Sequence, residues 1–419
     1  MKRSSKLSPS DFVDMMMFCD EEHHQLSLQD CCNDLQSHRK VHLSKVGLHK
    51  RFNAQSLEFL KAVLAEQMSS QLNQDTGSLW APFLKVSLAD SCKFPMPATF
   101  KDTFPPLGGC RAGKSIMNLQ YSFDIKNGNW DYLEMTSARQ NDQDYSGKTL
   151  GRIEKQSLNI RDQGYTTHKY MAHVMAAEAY FLNRLNPRYV AYEQLAPKAI
   201  DWKAQRKRMA STGESHFEAM VTLGTGEGAF SCRIIAIPVP EEVWQKRLAQ
   251  AKKQSKGKGV TDAYKERARF SIFVTNVPAE VFSATQIMQV YGIRWQVELV
   301  FKTWKSFFKV HKVKAMKTNR LLCQLYAKFI LINLNWKLFW CLDKIVQKQS
   351  PQHSCSLLKF SKQFRQLKDG LRKSLLTRRG IKKWITKALL PLLDTLIVEP
   401  KKGKTTGYEA IVNIYPPLG

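Results

Sequence analysis

The chain has 419 residues, 43% of them hydrophobic, and its 64 Lys and Arg residues outnumber its 36 Asp and Glu residues by 28. The hydrophobic share supplies enough apolar side chains for packed cores, which excludes a disordered polybasic tail protein. At about 150 residues per domain, the length predicts two or three domains. A folded chain this basic is expected to bind a polyanion, with nucleic acid as the first interpretation and an anionic membrane surface as the second.

The positive charge is distributed unevenly along the chain. Residues 301–419 contain 25 Lys and Arg against 5 Asp and Glu, a net charge of +20, which leaves +8 for the first 300 residues. The excess therefore belongs to the C-terminal segment, where it predicts a surface that attracts phosphate groups. A solvated basic helical surface without a partner is the alternative.

Cysteine usage and the apolar segments predict a cytoplasmic protein. The nine cysteines form no CxxC pair and no Cys/His cluster at zinc-finger spacing, a pattern typical of reduced thiols. The N-terminal segment is not expected to be a signal peptide, because Asp11 and Asp14 interrupt its apolar stretch. The most apolar run, residues 321–340, contains Lys328 and Lys337, so it predicts a core or amphipathic helix and no membrane span.

Residues 8 to about 75 are predicted to be mostly helical. Ser10 precedes an apolar-periodic stretch in the position of an N-cap, and a second periodic stretch begins at Ser56. Between them, residues 38–52 combine five Lys and Arg residues with three His residues. A small DNA-binding helical bundle and an exposed charged loop explain this segment equally well.

From Leu84 the pattern changes to the period-two alternation of β-strands. An Asn-Gly hairpin signal joins the second and third of four strand candidates, which are residues 84–90, 115–125, 130–136 and 156–162. Asp90 and Asp162 stand at the C-terminal ends of the first and fourth candidates, and residues 167–182 then follow a helical pattern. Four other carboxylates in this region are interpreted as solvated turn and loop groups: Asp124, Asp131, Asp142 and Asp144.

An insertion is predicted over residues 190–269. It contains short strand candidates at residues 220–226 and 229–240, followed by a charged helix from Glu241. Residues 269–278 form one more strand candidate, and a long helix is predicted to begin near Ala279.

Five polar residues of this long helix have spacings of 3, 4, 4 and 3, which places them on one face of a single helix: Tyr291, Arg294, Glu298, Lys302 and Lys305. A salt-bridged solvent face is the alternative interpretation. Against it, Glu298 is the one acid among three cations, and the residues between them are strongly apolar. The pattern therefore predicts a site that meets both metal and phosphate.

These residues carry a family resemblance. Tyr291, Arg294, Glu298 and Lys305 match the signature of DDE-type insertion-sequence transposases of the fourth family in the usual numbering: tyrosine, two residues, arginine, three residues, glutamate, six residues, lysine. The sequence is also similar to this family in the segments around Asp90 and Asp162, and in "FVTNVP" before the helix. The resemblance covers roughly residues 80 to 340, with four blocks in the expected order.

The resemblance implies an α/β fold with a ribonuclease-H-like core, a mixed five-stranded sheet with helices. It implies that Asp90, Asp162 and Glu298 are the catalytic carboxylates. Two-metal phosphoryl transfer needs acidic oxygens that converge on two Mg²⁺ ions, for which Mn²⁺ can substitute. Strand ends beside a helix provide rigid positions for such oxygens.

The resemblance also implies residues that hold DNA. Arg294 is expected to clamp a phosphate bidentately, Lys305 to act as a point charge, and Tyr291 to donate a hydrogen bond to a phosphate oxygen. Lys302 lies on the same face and is included with them. Phe270 is expected either to stack on a flipped base, as an aromatic residue does in relatives that form a DNA hairpin, or to be an ordinary core residue.

Four regions are predicted from this comparison. They are an N-terminal helical DNA-binding region (residues 1–78), a catalytic core (79–189 and 270–315), a β-rich insertion (190–269) and a basic C-terminal helical region (316–419). Asp162 and Glu298 are 136 residues apart in this chain. The resemblance implies that a β-rich domain fills this interval, as it does in members of the family.

The function implied is that of a cut-and-paste transposase. It would bind the terminal inverted repeats of an insertion sequence, hydrolyse the DNA ends with Mg²⁺ and join the 3′-hydroxyl ends to target DNA. Double-stranded DNA, a homodimer in the synaptic complex and a bacterial, nucleoid-associated location follow from the same resemblance. The alternatives are a ribonuclease-H-like nuclease without strand transfer and a non-catalytic DNA-binding repressor derived from a transposase.

Overall fold

The computed structural model describes residues 6–19, 27–70, 80–106, 115–187, 189–194, 198–255, 259–350, 353–377 and 380–399. The N-terminal region is helical, as predicted, and contains α1 (Pro9–Phe18), α2 (Leu28–Asp34), α3 (Lys45–His49) and α4 (Ala54–Ser69). The cap of α1 is Ser8 and not the predicted Ser10. The backbone N–H of Asp11 donates to the Ser8 hydroxyl, and the Asp11 carboxylate accepts from the Ser8 backbone, which forms a capping box.

The described strands form one mixed sheet: β1 (Lys85–Met96), β2 (Ser115–Asp124), β3 (Trp130–Ser137), β4 (Ser157–Arg161), β5 (Tyr180–Arg184), β6 (Ala191–Glu193), β7 (Phe217–Leu223), β8 (Phe230–Pro238) and β9 (Phe270–Thr275). Their order is β3-β2-β1-β4-β5-β9-β8-β7-β6. Strand β4 is parallel to β1 and β5, and all other neighbours are antiparallel.

This sheet has nine strands where the sequence predicts a core of five. The reason is that β9 pairs on both edges, with β5 on one side and β8 on the other. Strands β6 to β8 of the predicted insertion therefore continue the sheet that β1 to β5 begin. The same segment also contains α7 (Trp202–Thr212), α8 (Glu241–Gln254) and α9 (Asp262–Arg267), so its described structure is mixed α/β, with α8 beginning at Glu241 as predicted.

The remaining helices are α5 (Asp142–Lys148), α6 (His168–Ala176), α10 (Ala284–Gly292), α11 (Trp295–Ser306), α12 (Thr318–Gln349), α13 (Leu357–Leu375), α14 (Gly380–Trp384) and α15 (Leu393–Leu396). The predicted helix over residues 167–182 is wrong in its second half. Helix α6 ends at Ala176, and the rest of the segment turns back into strand β5.

The predicted hairpin between β2 and β3 is confirmed. Its glycine, Gly128, has φ +73°, and a Cβ atom there would lie 2.6 Å from the Trp340 side chain. Both the positive φ and the close contact require glycine at this position.

The largest core cluster includes the side chains between the sheet and helices α11 and α12, and a second cluster lies around β5 and β7 to β9. Trp304 on α11 is 1% exposed, and its ring contacts Tyr121 on β2 at 4.8 Å and Phe329 on α12 at 5.4 Å between centroids. These aromatic contacts fix α11 against the sheet. None of the described helices combines the length and apolar character that crossing a membrane requires. Residues 400–419 of the predicted C-terminal region lie outside the described residues.

Candidate functional site

Strands β1 and β4 place the two predicted aspartates at the same edge of their ladder. Their parallel register runs from Lys85 opposite Ser157 to Ala89 opposite Arg161. Asp90 directly follows Ala89, and Asp162 directly follows Arg161. The predicted end of the first strand is nevertheless wrong, because β1 continues beyond Asp90 to Met96 by pairing with β2 on its other edge.

The predicted single helix around Glu298 is two helices, α10 and α11, with a break at Ile293 and Arg294. The backbone N–H groups of Ile293, Arg294 and Gln296 donate to carbonyls three residues earlier, so the chain tightens there into successive turns. Ile293 is 1% exposed at this break. Tyr291 therefore lies at the end of α10, Arg294 lies in the turn, and Glu298 lies in the first turn of α11.

Arg294 connects two of the three predicted catalytic carboxylates. Its Nη1 atom lies 3.1 Å from Asp90 Oδ2, and its Nη2 atom lies 2.8 Å from Glu298 Oε1. The Arg294 side chain is 14% exposed, against 19% for Asp90 and 34% for Glu298. The guanidinium thus neutralises two carboxylates from different elements in a partly buried site.

Tyr291 contacts the third carboxylate. Its hydroxyl donates to Asp162 Oδ1 at 3.2 Å, and its ring packs on Phe273 of β9 with 5.1 Å between centroids. Burial is the main cause that raises the pKa of Tyr291, and the Asp162 charge adds to it. The phenol therefore stays protonated and acts as a donor.

The electrostatics of Asp90 are those of a crowded acidic site. Burial raises the pKa of Asp90 to about 6, while the Ser91 backbone N–H and Arg294 lower it and the charges of Asp162 and Asp142 raise it. Among the described residues, no group of three His, Cys, Asp or Glu side chains is arranged to hold a metal ion. Arg294 is the cation that Asp90 and Glu298 share in this arrangement.

The two lysines of the predicted site differ in their surroundings. Lys305 is half-buried, with its Nζ atom 5.3 Å from the centre of the Phe94 ring on β1, four residues after Asp90. Lys302 is exposed. Both are on α11, so they extend the cationic side of the site along this helix.

Phe270 lies away from these residues, in the core. Its side chain is 3% exposed and packs on Trp202 of α7 with 5.6 Å between ring centroids. In this conformation neither ring face is open to a base, which favours the alternative of an ordinary core residue.

The interpretation of the intervening aspartates as solvated groups is wrong for three of them. Asp142 is half-buried and accepts hydrogen bonds from the Ser91 hydroxyl and the Gln120 side chain. Asp124 is 3% exposed and accepts hydrogen bonds from the Val86 and Lys126 backbone and the Asn127 side chain. Asp131 is 11% exposed and pairs with Lys85 at 2.7 Å. The β1–β2–β3 sheet explains Asp124 and Asp131, because its pairing brings them beside Val86 and Lys85, which are distant in sequence.

Sequence reasoning missed two further residues near the site. Trp295, next to Arg294, is a large apolar side chain that is 58% exposed. Arg184 ends β5 opposite Phe273, whose ring contacts Tyr291, and its charge acts on Tyr291. The sequence shows that Trp295 directly follows Arg294 of the motif, but its exposure and the position of Arg184 beside the β5–β9 pair are seen only in the structure.

Comparison with known proteins defines the class. The family model described as "Transposase DDE domain" matches residues 81–334, a span that contains Asp90, Asp162, Glu298 and the break between α10 and α11. The chain belongs to the DDE transposase family, and the resemblance found in the sequence is confirmed.

The individual relatives are transposases of insertion sequences. The chain is 26% identical over 353 residues to the transposase for insertion sequence element IS231D of Bacillus thuringiensis subsp. finitimus, covering 80% of this chain and 73% of the relative. It is 27% identical over 374 residues to the IS231F transposase of Bacillus thuringiensis subsp. israelensis, with 84% and 78% covered. The IS1151 transposase of Clostridium perfringens is 27% identical over 339 residues, with 76% and 71% covered.

Proposed function

We propose that this chain is a cut-and-paste transposase that cleaves the ends of an insertion sequence and joins them to target DNA. One observation carries the proposal: carboxylates from β1, from the turn after β4 and from α11 are linked by Arg294 and Tyr291 of the family signature. The segments around Asp90, Asp162 and Glu298 are distant in sequence, and these contacts bring them together in one place. Relatives named as transposases for insertion sequences support the same activity.

Asp90, Asp162 and Glu298 would hold two Mg²⁺ or Mn²⁺ ions. The chemistry of the donor set fits these metals, because it consists of carboxylate oxygens, and a cation would stabilise the ionised form of Asp90, whose pKa burial raises. In the described arrangement the three carboxylates are not gathered around one point, and Arg294 supplies the positive charge between Asp90 and Glu298. When bound, the ions supply an activated nucleophile and stabilise the leaving oxygen of a phosphoryl transfer. The core that presents these residues, strands β3-β2-β1-β4-β5, is proposed to be ribonuclease-H-like.

The cations of the site would hold the DNA end. In this proposal Arg294 and Lys305 contact phosphates near the scissile bond, Tyr291 donates to a phosphate oxygen, and Lys302 contributes from the exposed side of α11. Arg184 is added to this group because its charge reaches Tyr291 from the end of β5.

The other regions would bind and pair the DNA. We assign end recognition to the N-terminal helices (residues 1–78) and the insertion (190–269), and general DNA contact to the basic region (316–419). A homodimer would align two inverted repeats in the synaptic complex, and the core would span residues 79–189 and 270–315.

The experiment is cleavage of duplex DNA that carries the inverted repeats flanking the gene. Asp90→Ala, Asp162→Ala and Glu298→Ala are each expected to abolish Mg²⁺-dependent cleavage while leaving binding of the DNA end largely intact. Glu280→Ala is the matched control, because Glu280 is exposed shortly before α10, and it is expected to cleave like the wild type. Retained cleavage in one variant removes that residue from the catalytic set.

A precut end with a plasmid target tests the joining step separately. Joined product supports a transposase. Cleavage without joining supports the nuclease alternative, and binding without Mg²⁺-dependent cleavage supports the repressor alternative.

A further inference from the structure

A chain of hydrogen bonds runs beneath the site from β1 to the turn that carries Asp162. The Ser91 hydroxyl donates to Asp142 Oδ1 at 2.8 Å, and Gln120 Nε2 donates to the same oxygen at 3.3 Å. The Tyr165 hydroxyl donates to Gln120 Oε1 at 2.6 Å. Asp142 on α5 and Gln120 on β2 thus connect two segments that are 74 residues apart in sequence, at Ser91 and Tyr165.

Each end of this chain is next to a predicted catalytic carboxylate. The backbone N–H of Ser91 donates to Asp90 Oδ1 at 2.8 Å, and the backbone N–H of Tyr165 donates to the carbonyl of Asp162 at 3.0 Å. Asp142 also lies directly against the Asp162 turn, because a Cβ atom on Gly164 would be 3.4 Å from Asp142 Oδ2. The positions of Asp90 and Asp162 therefore depend on the same intermediate side chains.

The direction of these bonds is fixed by chemistry. A carboxylate at Asp142 accepts, so the Gln120 amide is held with its nitrogen toward Asp142. The Gln120 amide oxygen then faces Tyr165, whose hydroxyl donates to it. Gln120 is 0% and Tyr165 1% exposed, so water does not compete for the bond between them, whereas the two bonds to Asp142 are partly buried. The neighbouring buried hydroxyls of Tyr132 and Tyr170 have no hydrogen-bond partner among the described residues, so burial in this cluster does not by itself give a tyrosine hydroxyl a partner.

We propose that Asp142, Gln120 and Tyr165 are positioning residues that set the separation of Asp90 and Asp162 for metal binding. The inference rests on the proposed function. Removing a group that orients metal ligands without binding the metal itself typically lowers metal affinity or activity 10–100-fold. In this scheme Asp142 acts as a hydrogen-bond acceptor, and its carboxylate does not coordinate the metal.

The first test separates these two roles of Asp142. Mn²⁺ binding to the full chain is measured by electron paramagnetic resonance, and cleavage of end DNA is measured against Mg²⁺ concentration. Asp142→Ala is expected to weaken Mn²⁺ binding about 10–100-fold and to raise the Mg²⁺ concentration for half-maximal cleavage in parallel. Asp142→Asn keeps an acceptor oxygen for Ser91 and Gln120, so it is expected to retain most of the affinity. Asp144→Ala is the control, because Asp144 is an exposed acid in the same first turn of α5.

The second test addresses the other end of the chain. Tyr165→Phe removes the hydroxyl that holds Gln120, and we expect a roughly tenfold loss of Mn²⁺ affinity. Tyr170→Phe is the matched control: Tyr170 is also 1% exposed and also contacts Arg161 through its ring, but its hydroxyl has no partner among the described residues. It is expected to bind Mn²⁺ like the wild type. Thermal unfolding of each variant verifies that Mn²⁺ binding is compared between folded proteins.

The outcomes distinguish this inference from the proposed function. If the wild type binds Mn²⁺ and cleaves, but folded Asp142→Ala and Tyr165→Phe match it in both measurements, the positioning role is overturned and the transposase proposal stands. An Asp142→Asn variant as impaired as Asp142→Ala overturns it too, because the charge would then be what matters. A wild type without Mn²⁺ binding or cleavage overturns the proposed function, and the positioning role with it.

Discussion

Arg294 is the residue on which the geometry of the site most depends. It directs two different N–H groups at two carboxylates, Asp90 and Glu298, that belong to different elements. A lysine offers one compact charge at the end of a flexible stem and cannot reproduce that fork. Arg294→Lys is therefore expected to lower single-turnover cleavage of end DNA by about 10–100-fold, since the carboxylates lose the group that orients them.

Arg152→Lys provides the comparison for this prediction. Arg152 pairs with Glu134 at the surface, where the two side chains are 46% and 39% exposed. Such pairs contribute about 0–1 kcal/mol, so cleavage by this variant should match the wild type. Equal cleavage by Arg294→Lys and the wild type would show that any cation at residue 294 suffices, and that the fork is irrelevant.

The motif could be predicted from the sequence, but its contacts could not. Spacing identifies Tyr291, Arg294 and Glu298 because those residues are close in the chain. The resemblance implies a phosphate contact for Arg294, but it gives no indication of the contact with Asp90, which is 204 residues away in sequence. Such a partner depends on how β1 and α11 pack, and no local pattern contains that information.

Among the secondary-structure elements, strand β5 shows the limit of local prediction. Its five residues follow α6 after a short turn, and Ala and Glu in that turn favour helix, so the helical pattern continues into the strand. What makes it a strand is pairing with β4 on one edge and β9 on the other. A short apolar run buried in this way cannot be told from a helix end by periodicity. The β2–β3 hairpin was predictable because its turn signal is local.

A buried network of ion pairs joins the N-terminal helices to α13, beside the apolar core that they share. Arg372 is 5% exposed and contacts Asp14 of α1 and Asp34 of α2, each at 2.6 Å. Arg372→Met would leave both acids without this partner, although Arg39 still contacts Asp14 at 3.3 Å. We expect the free energy of unfolding to fall by about 3 kcal/mol, at the lower end for a broken buried pair, as measured by chemical denaturation.

Arg206→Ala is the control for this helix contact. Arg206 pairs with Glu266 across α7 and α9, but the side chains are 39% and 23% exposed. The expected decrease is at most about 1 kcal/mol. Adding Asp14→Asn and Asp34→Asn to Arg372→Met should restore much of the stability by removing the stranded charges. If Arg372→Met lowers the free energy of unfolding as little as Arg206→Ala does, apolar packing alone holds the N-terminal helices against α13.

The distribution of charge over the chain separates structural cations from those that are open to DNA. In the basic C-terminal region, Arg372 is buried in its ion pairs, and Lys359 pairs with Glu399 at 2.7 Å. These two cations are therefore occupied within the protein. The exposed lysines of α13, of α14 and of the π-helical segment Ile385–Leu389 that follows α14 form a second group: Lys362, Lys373, Lys382, Lys383 and Lys387.

If these five exposed lysines bind DNA, replacing them together with Gln should weaken end binding and make it less dependent on salt. The physical reason is that each neutralised phosphate releases counterions, so the slope of log K against log salt should fall by about 0.9 for each phosphate that the variant no longer neutralises. Fluorescence anisotropy over a series of salt concentrations measures it. Gln at Lys155, which pairs with Glu178 at the surface of the proposed core at 2.8 Å, should leave the slope unchanged. An unchanged slope in the five-lysine variant would assign the DNA surface to another part of the chain, although residues 301–419 carry most of the net positive charge.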